Sequence, residues 1–309
     1  MTHITDLVTA QLEKPSIVTI GVFDGVHKGH QHLISELVKE AKANNLLSVA
    51  LTFFPHPDIV LQGMEGRYYL TSPEQRAHIL LDLGIDHVVT HPFNDTVRHM
   101  RAAQFVDRLT QHLKMAALWV GSDFAMGYKR EGNVSLLRQE GLQKGFTVHE
   151  IDLIMNSGDK ISSSDIRDAV QNGQMEQAKA WLGRPYSVSG EVVHGEKRGR
   201  QIGFPTANTA VWDEQVLPAN GIYAGWARLG NERFMAMTNV GVRPHFEGKN
   251  VTVEPHLLDF DRDIYGQQLE VFFEKRLRPE AKFDSLQALI DQIGRDVKEG
   301  RAYLQSLPD

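Results

Sequence analysis

Two histidines, His27 and His30, end the run GVFDGVHKGH at residues 21–30, where an apolar segment gives way to a helical pattern. Imidazoles in such a place can donate hydrogen bonds to a phosphate whose charge changes during transfer, and neither has to be a covalent nucleophile. Gly25 and Gly29 let phosphate oxygens approach the backbone, and the N–H groups and positive dipole end of a helix start favour an anion. The chemistry predicted is the binding of a nucleotide phosphate. The same pair also fits two polar residues satisfied within the fold, or part of a zinc site. The remaining zinc ligands would have to be His, Asp or Glu, because the chain has no cysteine.

The elements that position this run follow from hydrophobic periodicity. Residues 16–22 are short, β-branched and apolar, as a buried strand should be, while Leu33, Ile34, Leu37, Val38 and Ala41 share one helical face. The run therefore sits on a strand-to-helix turn. A second strand is predicted over 47–53, ended by the two prolines of FFPHP. Ser72, Pro73 and Gln75 form a helix start with a capping box, and that helix carries Ile79, Leu80 and Leu83 before Gly84. Further strands are expected at 87–90, 118–120 and 147–151, separated by helices around 105–113 and 134–144. Such alternation implies a mainly parallel sheet covered by helices, with ligands at the carboxyl ends of its strands.

Two later segments are expected to serve the same chemistry. GSDFAMGYKREG, residues 121–132, is made pliable by its glycines and offers Asp123, Lys129 and Arg130. ISSSDIR, residues 161–167, opens a helix with Ser162, Ser163 and Ser164. One hydroxyl caps the helix, and the others with Arg167 can hold a triphosphate. A helix over 175–182 ends at Gly183, Arg184 and Pro185, which places a domain boundary between residues 1–184 and 185–309.

From Tyr186 the pattern becomes alternating strands separated by turn-rich segments, which predicts an antiparallel barrel or sandwich. Its most specific stretch is GEKRGRQIGFPTAN, residues 195–208, and no Walker A sequence is present. Thr206 and Asn208 offer neutral oxygens of the kind Mg²⁺ prefers, with ATP phosphates and water completing the shell. A closing helix over 284–304 carries Leu286, Leu289, Ile290, Ile293 and Val297 on one stripe, expected to pack on the barrel.

Length and charge bound the possibilities. At 309 residues two domains are the default expectation. The net charge of −6, with 33 basic and 39 acidic residues intermixed, gives no general field for nucleic acid or an anionic membrane. The absence of cysteine suits a cytoplasmic setting, and no apolar run approaches membrane-spanning length. The first residues carry neither a basic nor an apolar targeting segment, so a cytoplasmic protein is expected.

Residues 21–30 closely resemble the GxFDGVHxGH motif of the bifunctional riboflavin kinase/FAD synthetases, and residues 195–208 resemble that family's GxxxGRxxGFPTAN signature. The segments at 121–132 and 161–167 are similar to its GxDFxFGxxxxG and ISSTxIR, with Met126 for an aromatic and Ser164 for threonine. Residues 220–229, 239–246 and 253–266 match further family segments, so the resemblance covers nearly the whole chain.

The resemblance implies a Rossmann-like α/β nucleotidyltransferase domain of the HxGH type, followed by an antiparallel β-barrel riboflavin kinase domain with a C-terminal helix. It implies ATP-dependent phosphorylation of riboflavin to FMN and adenylylation of FMN to FAD and pyrophosphate, with Mg²⁺ serving both. The residues implied for adenylyl transfer are His27 and His30, with Gly21, Phe23, Asp24, Gly25, Gly29, Asp123, Ser162, Ser163, Ser164 and Arg167 toward ATP phosphates. For the kinase they are Gly195, Gly199, Arg200, Gly203, Phe204 and Pro205, with Thr206 and Asn208 on the metal and Glu254 as general base. His245 replaces a threonine, and Pro255 follows Glu254 inside a strand, where it removes a ladder donor. Both departures lie near the implied kinase chemistry and fit either a tuned flavin site or the alternative of an FAD synthetase with a weakened or flavin-binding-only kinase domain.

Overall fold

The computed structural model describes residues 1–151, 155–156, 159–195, 198–242 and 251–308. The chain divides into two compact units, one of residues Met1–Glu65 and Thr71–Ile161 and one of Gly66–Leu70 and Ser162–Asp309.

In the first unit the order is β1 (Thr2–Ile4), β2 (Ser16–Ile20), α1 (Lys28–Ala43), β3 (Leu47–Phe54), α2 (Pro57–Gln62), α3 (Pro73–Asp82) and β4 (His87–Pro92). It continues with α4 (Asp95–Arg98), α5 (Ala102–Leu113), β5 (Met115–Gly121), the short pair β6 (Ala125–Met126) and β7 (Gly132–Asn133), α6 (Val134–Lys144) and β8 (Thr147–Ile151). Two further short strands, β9 (Met155–Asn156) and β10 (Asp159–Lys160), pair with each other.

Six strands form one parallel sheet in the order β1-β4-β3-β2-β5-β8. All of β2 is buried because both faces are covered. Ile17 packs toward Leu33, Leu37 and Leu80 of α1 and α3, whereas Val18 and Ile20 pack toward Phe105, Leu109 and Leu137 of α5 and α6. The strand order runs one way from β2 to β3 and the other way from β2 to β5, so the chain leaves β2 at a topological switch point. Open parallel sheets bind ligands in the crevice at such a point, and residues 21–30 begin there.

The second unit holds α7 (Ser163–Gln171), α8 (Met175–Leu182), β11 (Tyr186–Val193), α9 (Arg198–Gln201), β12 (Asn208–Val211), β13 (Gly221–Leu229), β14 (Glu232–Val242), β15 (Val251–Leu257), β16 (Gln268–Arg278) and α10 (Leu286–Gln305). Six antiparallel strands close into a barrel, β11-β12-β15-β14-β13-β16, so of the barrel and the sandwich it is the barrel that forms. The single turn of α9 falls inside the 195–208 stretch and strand β12 begins at its last residue.

Helix α10 packs on the barrel through Leu304, Val297 and Gly300, with Gly300 tight against Met237. Its anchor is polar. Buried Asp296 accepts from Arg278 Nε at 3.0 Å and Nη2 at 2.7 Å, and from Gln292 Nε2 at 2.8 Å. Bidentate geometry plus a third donor makes this a satisfied buried ion pair.

Segment Gly66–Leu70 is stitched to this unit. Tyr68 N and Tyr69 N donate to Glu214 O at 2.8 and 3.0 Å, and Val216 N donates to Tyr69 O at 2.8 Å. Arg67 Nη1 donates to Trp212 O at 2.9 Å and to Gln215 O at 2.8 Å. Gln215 Nε2 donates to Leu70 O at 3.1 Å, and the fully buried Tyr69 ring lies 4.9 Å from that of Trp212.

Candidate active sites

The turn after β2 is tight. Phe23, Gly25 and Val26 all take positive φ (52°, 78° and 42°), and Val26 N donates to Phe23 O at 3.0 Å. Such backbone is costly for Phe and Val and persists only where the surroundings enforce it. Here Asp24 turns inward and is 1% exposed, accepting from Thr71 N at 3.2 Å, while Gly25 N donates to Thr71 Oγ1 at 3.3 Å. Asp24 thus braces the loop.

A second brace is Arg76, which is fully buried on α3. Its Nη1 donates to Val22 O at 2.7 Å, Thr52 Oγ1 at 2.9 Å and Phe53 O at 3.3 Å. Neither Thr71 nor Arg76 was among the residues singled out from sequence. Arg76 did leave a signal, since it lies three, four and seven residues before Ile79, Leu80 and Leu83, on their apolar stripe. A cation in that place has to be paired inside the fold.

His27 is the N-terminal flanking residue of α1, with φ −71° and ψ 171°, and its side chain makes no cap bond. Its ring instead stacks on His30, with centroids 3.7 Å apart and planes 23° apart. The edge of Phe23 meets His30 at 5.1 Å. Gly29 permits the stack, because a Cβ there would come within 3.1 Å of the His27 ring, and Gly21 likewise makes room for the Phe23 ring at 3.0 Å.

Burial first, then the charges of His27 and Arg76, hold the His30 imidazole well below its ordinary pKa of 6.5. The free protein therefore keeps His30 neutral near pH 7. A bound polyanion favours the charged form, so its arrival raises this pKa. Nucleotide binding near pH 6.5 is expected to take up a fraction of a proton, up to roughly one. Calorimetric titration with ATP in two buffers of different ionisation enthalpy measures that uptake, and His30→Gln is expected to remove it.

The loop carrying Asp123 is clasped to the start of α5. Tyr128 N donates to Met100 O at 2.8 Å, and Arg101 Nε pairs with Glu131 at 2.7 Å. A Cβ at Gly127 would lie 2.6 Å from Ala102 N. Asp123 is exposed, and its carbonyl accepts from Arg130 Nη2 at 3.0 Å. Arg130 is thereby committed in part to the loop's own backbone.

In the second unit the three serines separate by role. Ser162 caps α7: its Oγ accepts from Asp165 N at 3.2 Å and donates to Asp165 Oδ2 at 2.6 Å. Ser164 Oγ accepts from Arg167 Nη1 at 3.2 Å. Ser163 begins the helix between them.

Two cavities flank the turn before β12. The larger, about 380 Å³, is lined by Asn239, Glu254, His256, Arg278 and Ile293 among others, and so lies between the barrel and α10. The smaller, about 140 Å³, is lined by Arg200, Pro205, Ala207, Phe260 and Tyr265 among others. Gly199 and Thr206 line both, which puts Thr206 in the wall between them. Leu289 and Ile293 of α10 line the larger cavity, so two of the five residues of the predicted apolar stripe face space that a ligand can fill.

The turn itself is shaped by close approaches. Phe204 N donates to Gly199 O at 2.9 Å, Gly203 has φ 87°, and His256 Nδ1 donates to Pro205 O at 2.7 Å. A Cβ on Gly199 would stand 2.3 Å from Phe204 O, and one on Gly195 would stand 2.1 Å from Asn208 Nδ2. Gly195 therefore cradles the Asn208 side chain. Gly199→Ala is expected to displace the turn and lower FMN formation on the order of 100-fold, the usual cost of an ångström of misplacement. FAD formation from supplied FMN is expected to stay near the parent rate, and chromatography of the flavin products measures both.

Glu254 pairs with Asn239 across the β14–β15 ladder, and Pro255 pairs with Thr238. Residues adjacent in a strand direct their backbone groups to opposite sides. The Pro255 carbonyl accepts from Ala207 N at 2.9 Å, so its missing donor faces the β12 side, where among the described residues the ladder pairs Thr209 with Val253 alone. The long β14 ladder is left intact, and Pro255 costs the strand little. The other departure, His245, lies outside the described residues, as do Arg243, Pro244 and Phe246.

Among the described residues no group of three or more His, Cys, Asp or Glu is placed to hold a metal ion. The donors at the turn are the neutral oxygens of Thr206 and Asn208, which fit a hard cation whose charge is balanced by nucleotide phosphates. Among the described residues no helix is long and apolar enough to cross a membrane.

A parallel sheet with a histidine pair at its switch point, in one chain with a closed barrel whose oxygen-bearing turn parts two cavities, defines a two-domain transferase of phosphate-containing groups. The FAD synthetase family matches residues 9–165 and the riboflavin kinase family matches residues 182–304. A bifunctional riboflavin kinase/FMN adenylyltransferase of Listeria monocytogenes is 36% identical over 295 residues, 95% of this chain and 94% of that one. One of Bacillus subtilis is 34% identical over 312 residues, 99% of this chain and 98% of that one. A crystal structure from Streptococcus pneumoniae, named for a macrolide-efflux protein, superposes with a TM-score of 0.87 at 30% identity, covering 97% of this chain and 98% of that one. The chain belongs to the bifunctional riboflavin kinase/FMN adenylyltransferase family, and it is an enzyme of flavin cofactor synthesis carrying both activities.

Proposed function

We propose that residues 1–184 carry FMN adenylyl transfer and residues 185–309 carry riboflavin phosphorylation, a division supported by the family matches at 9–165 and 182–304. The observation that carries the assignment is that the stacked His27–His30 pair belongs to one unit and the Thr206 wall between two cavities to the other.

In the kinase reaction the larger cavity takes the flavin and the smaller takes ATP. Glu254, on the larger cavity, accepts the proton of the ribityl 5′-hydroxyl as its oxygen attacks the γ-phosphorus of ATP, and ADP leaves. Gly195, Gly199, Arg200, Gly203, Phe204 and Pro205 shape the binding turn. Thr206 and Asn208 would hold Mg²⁺ together with ATP oxygens, and the ion would supply charge neutralisation on the phosphates.

In the adenylyl reaction an FMN phosphate oxygen attacks the α-phosphorus of ATP and pyrophosphate leaves. His27 and His30 donate hydrogen bonds to the phosphates, at a loop held in shape by Asp24, Thr71 and Arg76. Gly21, Phe23, Gly25 and Gly29 set the loop's form, and Asp123, Ser162, Ser163, Ser164 and Arg167 complete the set assigned to ATP. Mg²⁺ accompanies ATP in this reaction too, and a cytoplasmic setting suits the cysteine-free sequence.

Incubation with riboflavin, ATP and Mg²⁺, followed by chromatographic separation of flavins, tests the reading. FMN and FAD together are expected. FAD from supplied FMN alone would restore the weakened-kinase alternative, and no product from either flavin would overturn both.

A further inference from the structure

Arg167 is a long, flexible side chain, yet in the structure it is 9% exposed and held on two sides. Ser164 Oγ accepts from its Nη1 at 3.2 Å, and its guanidinium carbon stands 4.0 Å from the centroid of the Tyr68 ring. Tyr68 comes from Gly66–Leu70, a segment nearly a hundred residues earlier in the chain, and its backbone has little freedom. Hydrogen bonds to Trp212, Glu214, Gln215 and Val216 fasten Arg67, Tyr68, Tyr69 and Leu70 in turn. The ring is therefore offered to Arg167 from a fixed mount.

We infer that Tyr68 is a positioning residue for adenylyl transfer, fixing the plane of the Arg167 guanidinium by stacking so that it is presented to the phosphates of ATP. Stacking engages the face of a guanidinium, whereas hydrogen bonds to phosphate oxygens are made in its plane, so the two contacts are compatible. A pre-set plane spares ATP the ordering of a four-carbon side chain. The inference rests on the assignment of Arg167 to the phosphates, and its test separates the two.

Steady-state FAD formation from FMN and ATP would be measured for Tyr68→Leu, Tyr68→Phe and Arg167→Ala, with FMN formation from riboflavin measured on the same samples. Tyr68→Leu is expected to raise the ATP KM for FAD formation about 10-fold, as loss of a desolvated cation–π contact should. Its kcat should change much less, Tyr68→Phe should stay near the parent value because the ring face is kept, and FMN formation should hold in all three. Arg167→Ala is expected to be at least as impaired as Tyr68→Leu. An impaired Arg167→Ala beside an unchanged Tyr68→Leu would overturn the role of Tyr68. Equal losses in Tyr68→Leu and Tyr68→Phe, or parallel loss of both activities in Tyr68→Leu, would overturn it as well. An unchanged Arg167→Ala would overturn the phosphate assignment beneath it.

Discussion

Glu254→Gln is expected to end FMN formation from riboflavin while FAD still forms from supplied FMN. Glutamine keeps the size of the side chain and one oxygen, so the β14–β15 ladder opposite Asn239 and the shape of the larger cavity are preserved. It removes the negative charge and, with it, the capacity to take a proton. General-base catalysis contributes on the order of 10² to 10⁴ in rate, and a loss of that size in kcat with little change in riboflavin KM is the expected signature. Initial rates by flavin chromatography, with riboflavin varied at saturating ATP, measure both parameters. A variant that lost affinity but kept kcat would show Glu254 to be a binding residue.

The complementary result is expected at His30. Substitution by alanine removes a ring stacked on His27 and met edge-on by Phe23, and with it a donor at the switch point of the sheet. Removal of one such preorganised donor costs roughly 10² to 10³ in rate, so FAD formation should fall by that factor. FMN formation should continue, because its residues belong to the other unit. His30→Asn, which restores a polar group without the ring, is expected to recover only part of the loss. Identical losses of both activities in Glu254→Gln and His30→Ala would contradict two independent sites.

Much of this was legible because it is local. The apolar run before Gly21 and the stripe of Leu33, Ile34, Leu37 and Val38 predict the strand, the turn and the helix, and the structure forms them as β2 and α1 within two residues of the expected ends. The capping box of Ser72 and Gln75 forms as read, each accepting from the other's backbone at 3.1 Å.

What escaped depends on register and on distant partners. Pro255 reads as a fault in a strand until the ladder shows which neighbour its missing donor faces. Asn208 reads only as the last residue of a motif but begins β12, because a strand of four residues has too short a period to register beside Pro and Gly. Asp24 reads as a phosphate residue by its place in a motif, whereas its burial against Thr71 gives it the work of shaping the loop. Tyr68 gave no signal at all, since its partners lie about a hundred and about 150 residues further along the chain.

The stitching of Gly66–Leu70 has a consequence for dissecting the molecule. No single cut in the chain yields the barrel unit whole, because one of its buried side chains, Tyr69, is supplied by the first quarter of the sequence. A fragment begun at residue 185 would carry Trp212 without the ring that covers it and Gln215 without the carbonyl of Leu70. An expression fragment meant to retain the barrel's own fabric has to bring residues 66–70 along, as a circularly permuted or appended segment.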